Sequence, residues 1–314
     1  MGLDKMTEDI AVLLSSYNGE NFVAQQLESI LNQKTNYSFK IFVRDDGSKD
    51  TTLRILKKFS LNHKNIEIIA GKNKGYVASF FELLKISYLQ GYSWFAFSDQ
   101  DDYWLPNKLQ DAVDKIKPYD HEPVLYGSKS LVTDEKLLST GKTTQTKKKN
   151  INFYNTAIQN ILPGHGQVIN KRLAKIILKY TGNTAQIYSQ DLWISTVASV
   201  TGKVIFDDQP HTLYRMHSGN QLGYGKGKIQ WILDHISRLR QKESNKIAKQ
   251  LNYFIKCYFS FLSLEEKEEM KKFFSSQKHV MNRILYATHT RLYRQRKSET
   301  QIFKLLYILG FYNL

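Results

Sequence analysis

The chain has 314 residues, of which 41% are apolar and 24% charged, and its net charge is +16. The apolar content is ample for a packed core, and the length allows one large α/β domain, alone or with a helical appendage. A single cysteine, Cys257, excludes an internal disulfide framework and fits a reducing compartment; no apolar run is long enough to span a bilayer, and Met1 to Met6 does not read as a signal peptide.

The charge is uneven. From Lys226 onwards 18 Lys and Arg face 7 Asp and Glu, so a strongly basic tail follows a less basic first part. Such an excess attracts nucleic acid, anionic lipid or phosphorylated ligands.

In chain order, Ile10 to Ser15 is a continuous apolar run, as a strand covered on both faces requires. After the turn Ser16-Tyr17-Asn18-Gly19, Phe22, Val23, Leu27, Ile30 and Leu31 predict a helix over 20–32. A second strand, Phe39 to Arg44, ends in Asp45-Asp46-Gly47-Ser48, and Ser48 or Asp50 can cap the helix from Thr51 to Phe59. A third strand, Ile66 to Ala70, leads through Gly71-Lys72-Asn73-Lys74-Gly75 to a helix from Tyr76 to Leu89. The fourth strand, Trp94 to Ser98, stops in Asp99, Asp101 and Asp102, and Pro106 opens the next helix.

This strand–helix alternation predicts βαβ units and a mainly parallel sheet. Parallel strands deliver their C-terminal turns to one edge, where open α/β folds bind ligands. Tyr17, Asp45, Asp46, Asp99 and Asp101 can therefore converge. Three carboxylates within four positions repel one another unless a cation joins them, and Mg²⁺ or Mn²⁺ suits such oxygen donors. A solvated acidic turn is the competing reading of this stretch taken alone.

From Val124 the pattern changes. Val124 to Tyr126, Leu131-Val132, Val204 to Phe206 and Thr212 to Tyr214 read as short strands, and the lysine-rich segment Thr140 to Asn150 as a mobile loop. Ile161 to Ile169 is a Gly-rich turn entering a strand, and Tyr188-Ser189-Gln190-Asp191 leads into a helix over Leu192 to Val200. The Gly/Lys stretch Gly223 to Lys228 marks a boundary between a domain over 1–225 and a helical region over 226–314. In that region Trp231, Ile232, Ile236 and Leu239 share a face. So do Leu251, Phe254, Ile255, Tyr258, Phe259 and Leu262, and Ser263 caps a helix ahead of Glu265 and Glu266.

The first 220 residues or so resemble family 2 glycosyltransferases of the GT-A fold. The resemblance is carried by Ser15-Ser16-Tyr17-Asn18-Gly19, Asp45-Asp46-Gly47-Ser48-Lys49-Asp50-Thr51, Asn73-Lys74-Gly75, Asp99-Gln100-Asp101-Asp102 with Pro106-Asn107-Lys108-Leu109, Gln190-Asp191, and Tyr214-Arg215-Met216-His217-Ser218-Gly219-Asn220. Each piece is weak alone; their order and spacing are specific. The chain looks most like bacterial rhamnosyltransferases of cell-surface polysaccharide synthesis.

The resemblance implies a Rossmann-like α/β catalytic domain that transfers a sugar, with inversion, from a nucleotide diphosphate donor to a glycan or lipid-linked saccharide acceptor. It implies Mn²⁺ or Mg²⁺ on Asp101, with His217 as a further ligand. Ser15, Tyr17, Asn18, Asp45, Asp46, Asn73, Gly75, Asp99 and Arg215 fall on the donor side: Tyr17 stacks on the base, Asp45 or Asp46 accepts from it, Asp99 holds the ribose region and Arg215 grips a phosphate. Asp191 is the general base, and His165 and Gln190 fall on the acceptor side. The family's usual Glu-Asp is Gln190-Asp191 here. dTDP-rhamnose is the favoured donor, ahead of UDP-galactose, UDP-glucose and their N-acetyl forms.

Two other functions compete with this reading. A nucleotidyltransferase would show a basic Gly-rich loop soon after strand one, where this chain has Glu20. Against a nucleic-acid-binding protein, the charge excess lies in the tail, no zinc or RNA-binding motif appears, and the best-defined pocket is acidic. For the tail, basic amphipathic helices point to a cytoplasmic enzyme held at the inner face of the membrane; a homo-oligomerisation module is the alternative.

Overall fold

The structure, a computed structural model, describes residues 9–144, 146–217 and 243–314. Nine strands form one sheet: β1 (Ile10–Ser16), β2 (Phe39–Asp45), β3 (Ile66–Ala70), β4 (Trp94–Ser98), β5 (Tyr103–Trp104), β6 (Val124–Thr133), β7 (Ser139–Thr143), β8 (Gln167–Asn170) and β9 (Lys203–Arg215). Their order is β3-β2-β1-β4-β8-β6-β9-β5, with β7 paired to β6. The first four strands are parallel, β8 runs antiparallel to both β4 and β6, and β9 is parallel to β6.

Alternate residues of β1 explain its unbroken apolar run. Ile10, Val12 and Leu14 join one core, which packs on Leu27 and Ile30 of α1 (Val23–Leu31), Leu56 of α2 (Thr52–Asn62), and Leu109, Val113 and Ile116 of α4 (Lys108–Ile116). Ala11 and Leu13 join the other, against Phe80 and Leu84 of α3 (Tyr76–Leu89). A strand buried on both faces has no polar side to show.

The second core runs on without a break. It takes in α5 (Phe153–Thr156), α6 (Lys171–Tyr180) and α7 (Gln190–Thr201), then α8 (Glu243–Tyr258), α9 (Leu264–Ser275), α10 (Val280–His289) and α11 (Lys297–Ile308). Phe254 of α8 meets Trp193 of α7 edge-on, with ring centroids 5.7 Å apart. The aromatic stripe foreseen in the tail is therefore helix core. The capping box at the start of α9 is present, with Ser263 and Glu266 each bonding the other's backbone N–H.

Several boundaries differ from expectation. α1 begins at Val23 rather than at residue 20, and the last tail stripe breaks at Tyr258, beyond which Phe259–Phe261 is a 3₁₀ turn with Phe259 exposed. The two pairs of short strands are single long strands, β6 and β9. Their register shifts around Lys129 and Pro210, so polar residues at a bulge hid the continuity. Part of the expected lysine-rich loop is β7, a strand exposed at every position, which leaves no alternation to read. The expected boundary at 223–228 and the face carrying Trp231, Ile232, Ile236 and Leu239 lie outside the described residues.

Candidate active site

The parallel register brings the ends of β1, β2 and β4 level, with Ser16 beside Asp45 and Leu14 beside Ser98. The turns that follow these strands are stitched together. Asn18 adopts φ +48°, a left-handed conformation that asparagine tolerates. Its N–H donates to Ser48 Oγ (2.9 Å) and its side-chain oxygen accepts from Lys49 N (2.9 Å). Ser15 Oγ donates to Ser79 Oγ on α3 (2.7 Å), while the Tyr17 ring stands exposed at the rim.

The structure separates the roles of the two acids after β2. Both Asp46 oxygens are committed: they pair with the buried Arg44 and accept from Lys74 N and Gly75 N, each at 2.9 Å. Asp46 thereby holds the 72–75 loop, with Asn73 exposed and Gly75 opening α3. Gly47 has φ +81°, and a Cβ there would meet Asn73 N at 2.9 Å, so only glycine admits this close approach. Asp45 is different. Its Oδ2 accepts from Ser48 N (3.1 Å), and its buried Oδ1 has no hydrogen-bond partner among the described residues. A buried acceptor without a donor suits a ligand N–H.

The acids after β4 form the centre of the site. Asp101 Oδ2 lies 2.9 Å from His217 Nε2, and His217 packs on Phe22. Burial, then the charge of Asp99, raises the Asp101 pKa against the hydrogen bond from His217. Asp102 is buried, with Oδ2 3.2 Å from His165 Nδ1, and burial pushes its pKa up to about 7. Asp99 is half-exposed and lies 3.7 Å from the same Nδ1. His165 is buried in the 3₁₀ turn Gly164–Gly166, pairs through Nε2 with Ser130 Oγ (2.8 Å) and stacks on Tyr214. Burial opposes charge on this ring, but Asp102 and Asp99 prevail and raise its pKa.

The same turn joins the acids to the predicted base. Gly164 N donates to Asp191 Oδ2 (3.2 Å), and Ser189 Oγ and Leu192 N donate to Oδ1. Asp191 thus sits in the first turn of α7, where the helix dipole favours a carboxylate. Burial nevertheless raises its pKa, and Asp99 adds to the effect. Gln190 beside it is buried, and its Nε2 has no hydrogen-bond partner among the described residues.

Arg215 is buried and fully engaged: it donates to the carbonyls of Asp101 (2.9 Å) and Glu135 (2.7 Å) and to Gln25 Oε1 (2.5 Å). Its guanidinium braces the acidic loop. The residues present suit a divalent cation. Donors about 2.1 Å from an octahedral ion lie about 3 Å apart, close to the Asp101–His217 spacing. Next to them the donor atoms of Asp99, Asp102 and His165 lie within 4.8 Å of one another. Carboxylate donors favour Mg²⁺ or Mn²⁺, and an imidazole among them admits other first-row divalent ions as well.

Three residues escaped the functional reading of the sequence. Asp102 reads from the sequence only as one of three clustered carboxylates, with no role of its own, yet it is 1% exposed. Lys108 is wholly buried, donating to His165 O (2.6 Å) and Thr212 Oγ1 (3.0 Å) over the Trp104 ring; burial brings its pKa down to about 7. A signal existed, since Lys108 shares the apolar face of Ala112 and Ile116. Gln100 belongs to the Asp99-Gln100-Asp101-Asp102 motif, but only the structure shows that its side chain bonds to the Ser16–Tyr17 turn.

Residues 11–175 match the family model described as glycosyl transferase family 2. The dTDP-rhamnosyl transferase RfbG of Shigella flexneri is 30% identical over 257 residues, spanning 76% of this chain and 84% of that protein. The putative glycosyltransferase EpsE of Bacillus subtilis is 34% identical over 128 residues, 40% of this chain and 44% of its own. Among solved structures, residues 1–349 of S. aureus TarS in complex with UDP align with a TM-score of 0.59 at 15% identity, covering 97% of this chain and 89% of that one. That likeness is one of fold, a GT-A-like mixed α/β sheet with helices on both faces and a helical C-terminal region. With the family model covering more than half of its length, and RfbG matched over most of both chains, this chain belongs to glycosyltransferase family 2.

Proposed function

We propose that the protein moves a sugar from a nucleotide diphosphate donor to a saccharide acceptor, with inversion, in bacterial surface polysaccharide synthesis. The observation that carries this reading is the Gly164–Gly166 turn, which sets Asp191 on one side and Asp99, Asp102 and His165 on the other. Asp45 Oδ1 takes the base N–H and Tyr17 offers an aromatic face to the ring. Asp191 removes the proton from the acceptor hydroxyl. One base serves a single in-line displacement, whereas retention would need a nucleophilic carboxylate as well.

Asp101 and His217 would hold a divalent cation, with Asp99 beside them; when bound, it supplies positive charge against the departing diphosphate. The likeness to RfbG over 84% of that protein supports dTDP-rhamnose as donor, with UDP-hexoses next. Residues 1–225 carry the chemistry, and the basic region after 226 supports attachment to an anionic membrane surface, where a lipid-linked acceptor would lie.

The decisive experiment is Asp191→Asn with dTDP-rhamnose. Transfer should fall by about 10²- to 10⁴-fold, with the dissociation constant for dTDP unchanged. Undiminished turnover removes Asp191 as the base.

A further inference from the structure

We propose that Gln100 is a positioning residue that locks the Tyr17 turn to the acidic loop, and that the bare Cα of Gly19 is what admits it. Gln100 stands between Asp99 and Asp101, but its side chain leaves the acids and crosses to the turn after β1. Its Oε1 accepts from Ser16 Oγ (2.7 Å) and Tyr17 N (2.9 Å), and its Nε2 donates to Tyr17 O (3.1 Å). The primary amide pairs with both backbone groups of one residue, as a neighbouring strand would. The Tyr17 ring is itself exposed, so its placement depends on the backbone beneath it.

Gly19 supplies a second observation on the same amide. A Cβ there would lie 2.2 Å from Gln100 Oε1 and 2.6 Å from its Cδ. The φ of Gly19 lies outside the left-handed region, so it is the amide and not the backbone that excludes a side chain. A glutamine amide at the end of a flexible side chain could swing away, but only by surrendering three hydrogen bonds. The turn keeps other anchors without it, through Asn18 N to Ser48 Oγ and Gly19 N to Thr52 Oγ1 (2.8 Å). Loss of Gln100 should therefore loosen Tyr17 without unfolding the turn. If Tyr17 is the base platform, as the proposed function has it, this amide sets the distance between base and diphosphate.

The test is a double-mutant cycle on the full chain, with Gln100→Ala, Gly19→Ala and both together. dTDP and UDP binding are measured by calorimetry, melting temperature is followed, and exchange of the Tyr17 amide hydrogen is read by NMR. Each single substitution should weaken nucleotide binding about tenfold, with the melting temperature unchanged. The double variant should bind no worse than Gln100→Ala, because the added methyl then meets no amide. Exchange at Tyr17 N–H should accelerate in both single variants. Multiplicative losses in the double variant, or Tyr17 exchange that ignores Gln100→Ala, would overturn the inference. If exchange responds as expected but neither nucleotide binds the unaltered protein, the donor reading falls while the tie between the two loops stands.

Discussion

Asp191, the proposed base, shows how surroundings retune a common side chain. Three hydrogen bonds favour its charged form, but burial and the nearby Asp99 outweigh them, and its pKa is raised. A base works only when deprotonated, so kcat should fall as pH drops through that raised pKa, above the range of a surface carboxylate. A pH–rate profile measures this; an acid limb that stays in the ordinary carboxylate range would assign the titration elsewhere. Asp101 belongs to the same scale. Asp101→Ala removes the carboxylate that lies 2.9 Å from His217 and should abolish the strengthening of dTDP binding by Mn²⁺ or Mg²⁺. Calorimetry with and without the metal checks it, and undiminished enhancement would assign the cation to Asp99, Asp102 and His165 instead.

Among the elements, β9 does more than pair with β6. Asp207 lies at its bulge and is buried, bonding Lys115 of α4 (2.7 Å), Tyr126 of β6 (2.8 Å) and His211 (3.0 Å). Burial alone would raise its pKa, but these donors, with Gln209 N, bring it down to about 2. The sign follows from linkage. The unfolded carboxylate titrates near 3.9, so the stabilisation is complete above that pH and is lost as pH falls towards 2. Asp207→Asn should cost about 2 kcal/mol at neutral pH. The difference from the unaltered protein should close between about pH 4 and pH 2. Urea denaturation at several pH values reads both; a pH-independent difference would mean that packing rather than charge is responsible.

For the whole molecule, the C-terminal helices complete the catalytic body. Phe254 is buried against Trp193, two residues after Asp191 on the same helix, and also stacks on Phe153 and Tyr258. Phe254→Ala should cost about 3–5 kcal/mol, and activity should fall with it as α7 loses its support. Chemical denaturation with parallel assays would show whether the two decline together. The outer surface of these helices has a different character. Val280, Met281, Ile284 and Leu285 form an exposed stripe on α10, and the residues from 277 to 314 include seven Lys and Arg against Glu299 alone. No helix among the described residues is long and apolar enough to cross a membrane, and the attachment proposed above is along the surface. Met281→Glu with Leu285→Glu should abolish flotation with anionic vesicles and spare transfer to a soluble acceptor. Equal flotation would sink the idea, and a dimer dissolved by the same substitutions would mark the stripe as a contact between copies.

The sequence by itself determined the strands with unbroken apolar runs, the helices with a clear period, the acids at the strand ends and the motif order that marks the family. Those signals are local, since a strand covered on both faces must be apolar throughout and a polar turn must follow it. β6 and β9 were legible only in pieces, because a bulge places polar residues inside a continuous strand. What only the tertiary structure decided is which of two adjacent acids is free. Asp45 and Asp46 are indistinguishable as letters; Arg44 and two amides of a loop almost 30 residues away saturate one, while one oxygen of the other has no hydrogen-bond partner among the described residues. The same holds for Lys108, Gln100 and Arg215, whose partners lie 57 to 190 residues away along the chain. Hydrogen-bond satisfaction in a buried site depends on every neighbour at once, and no spacing within one segment encodes it.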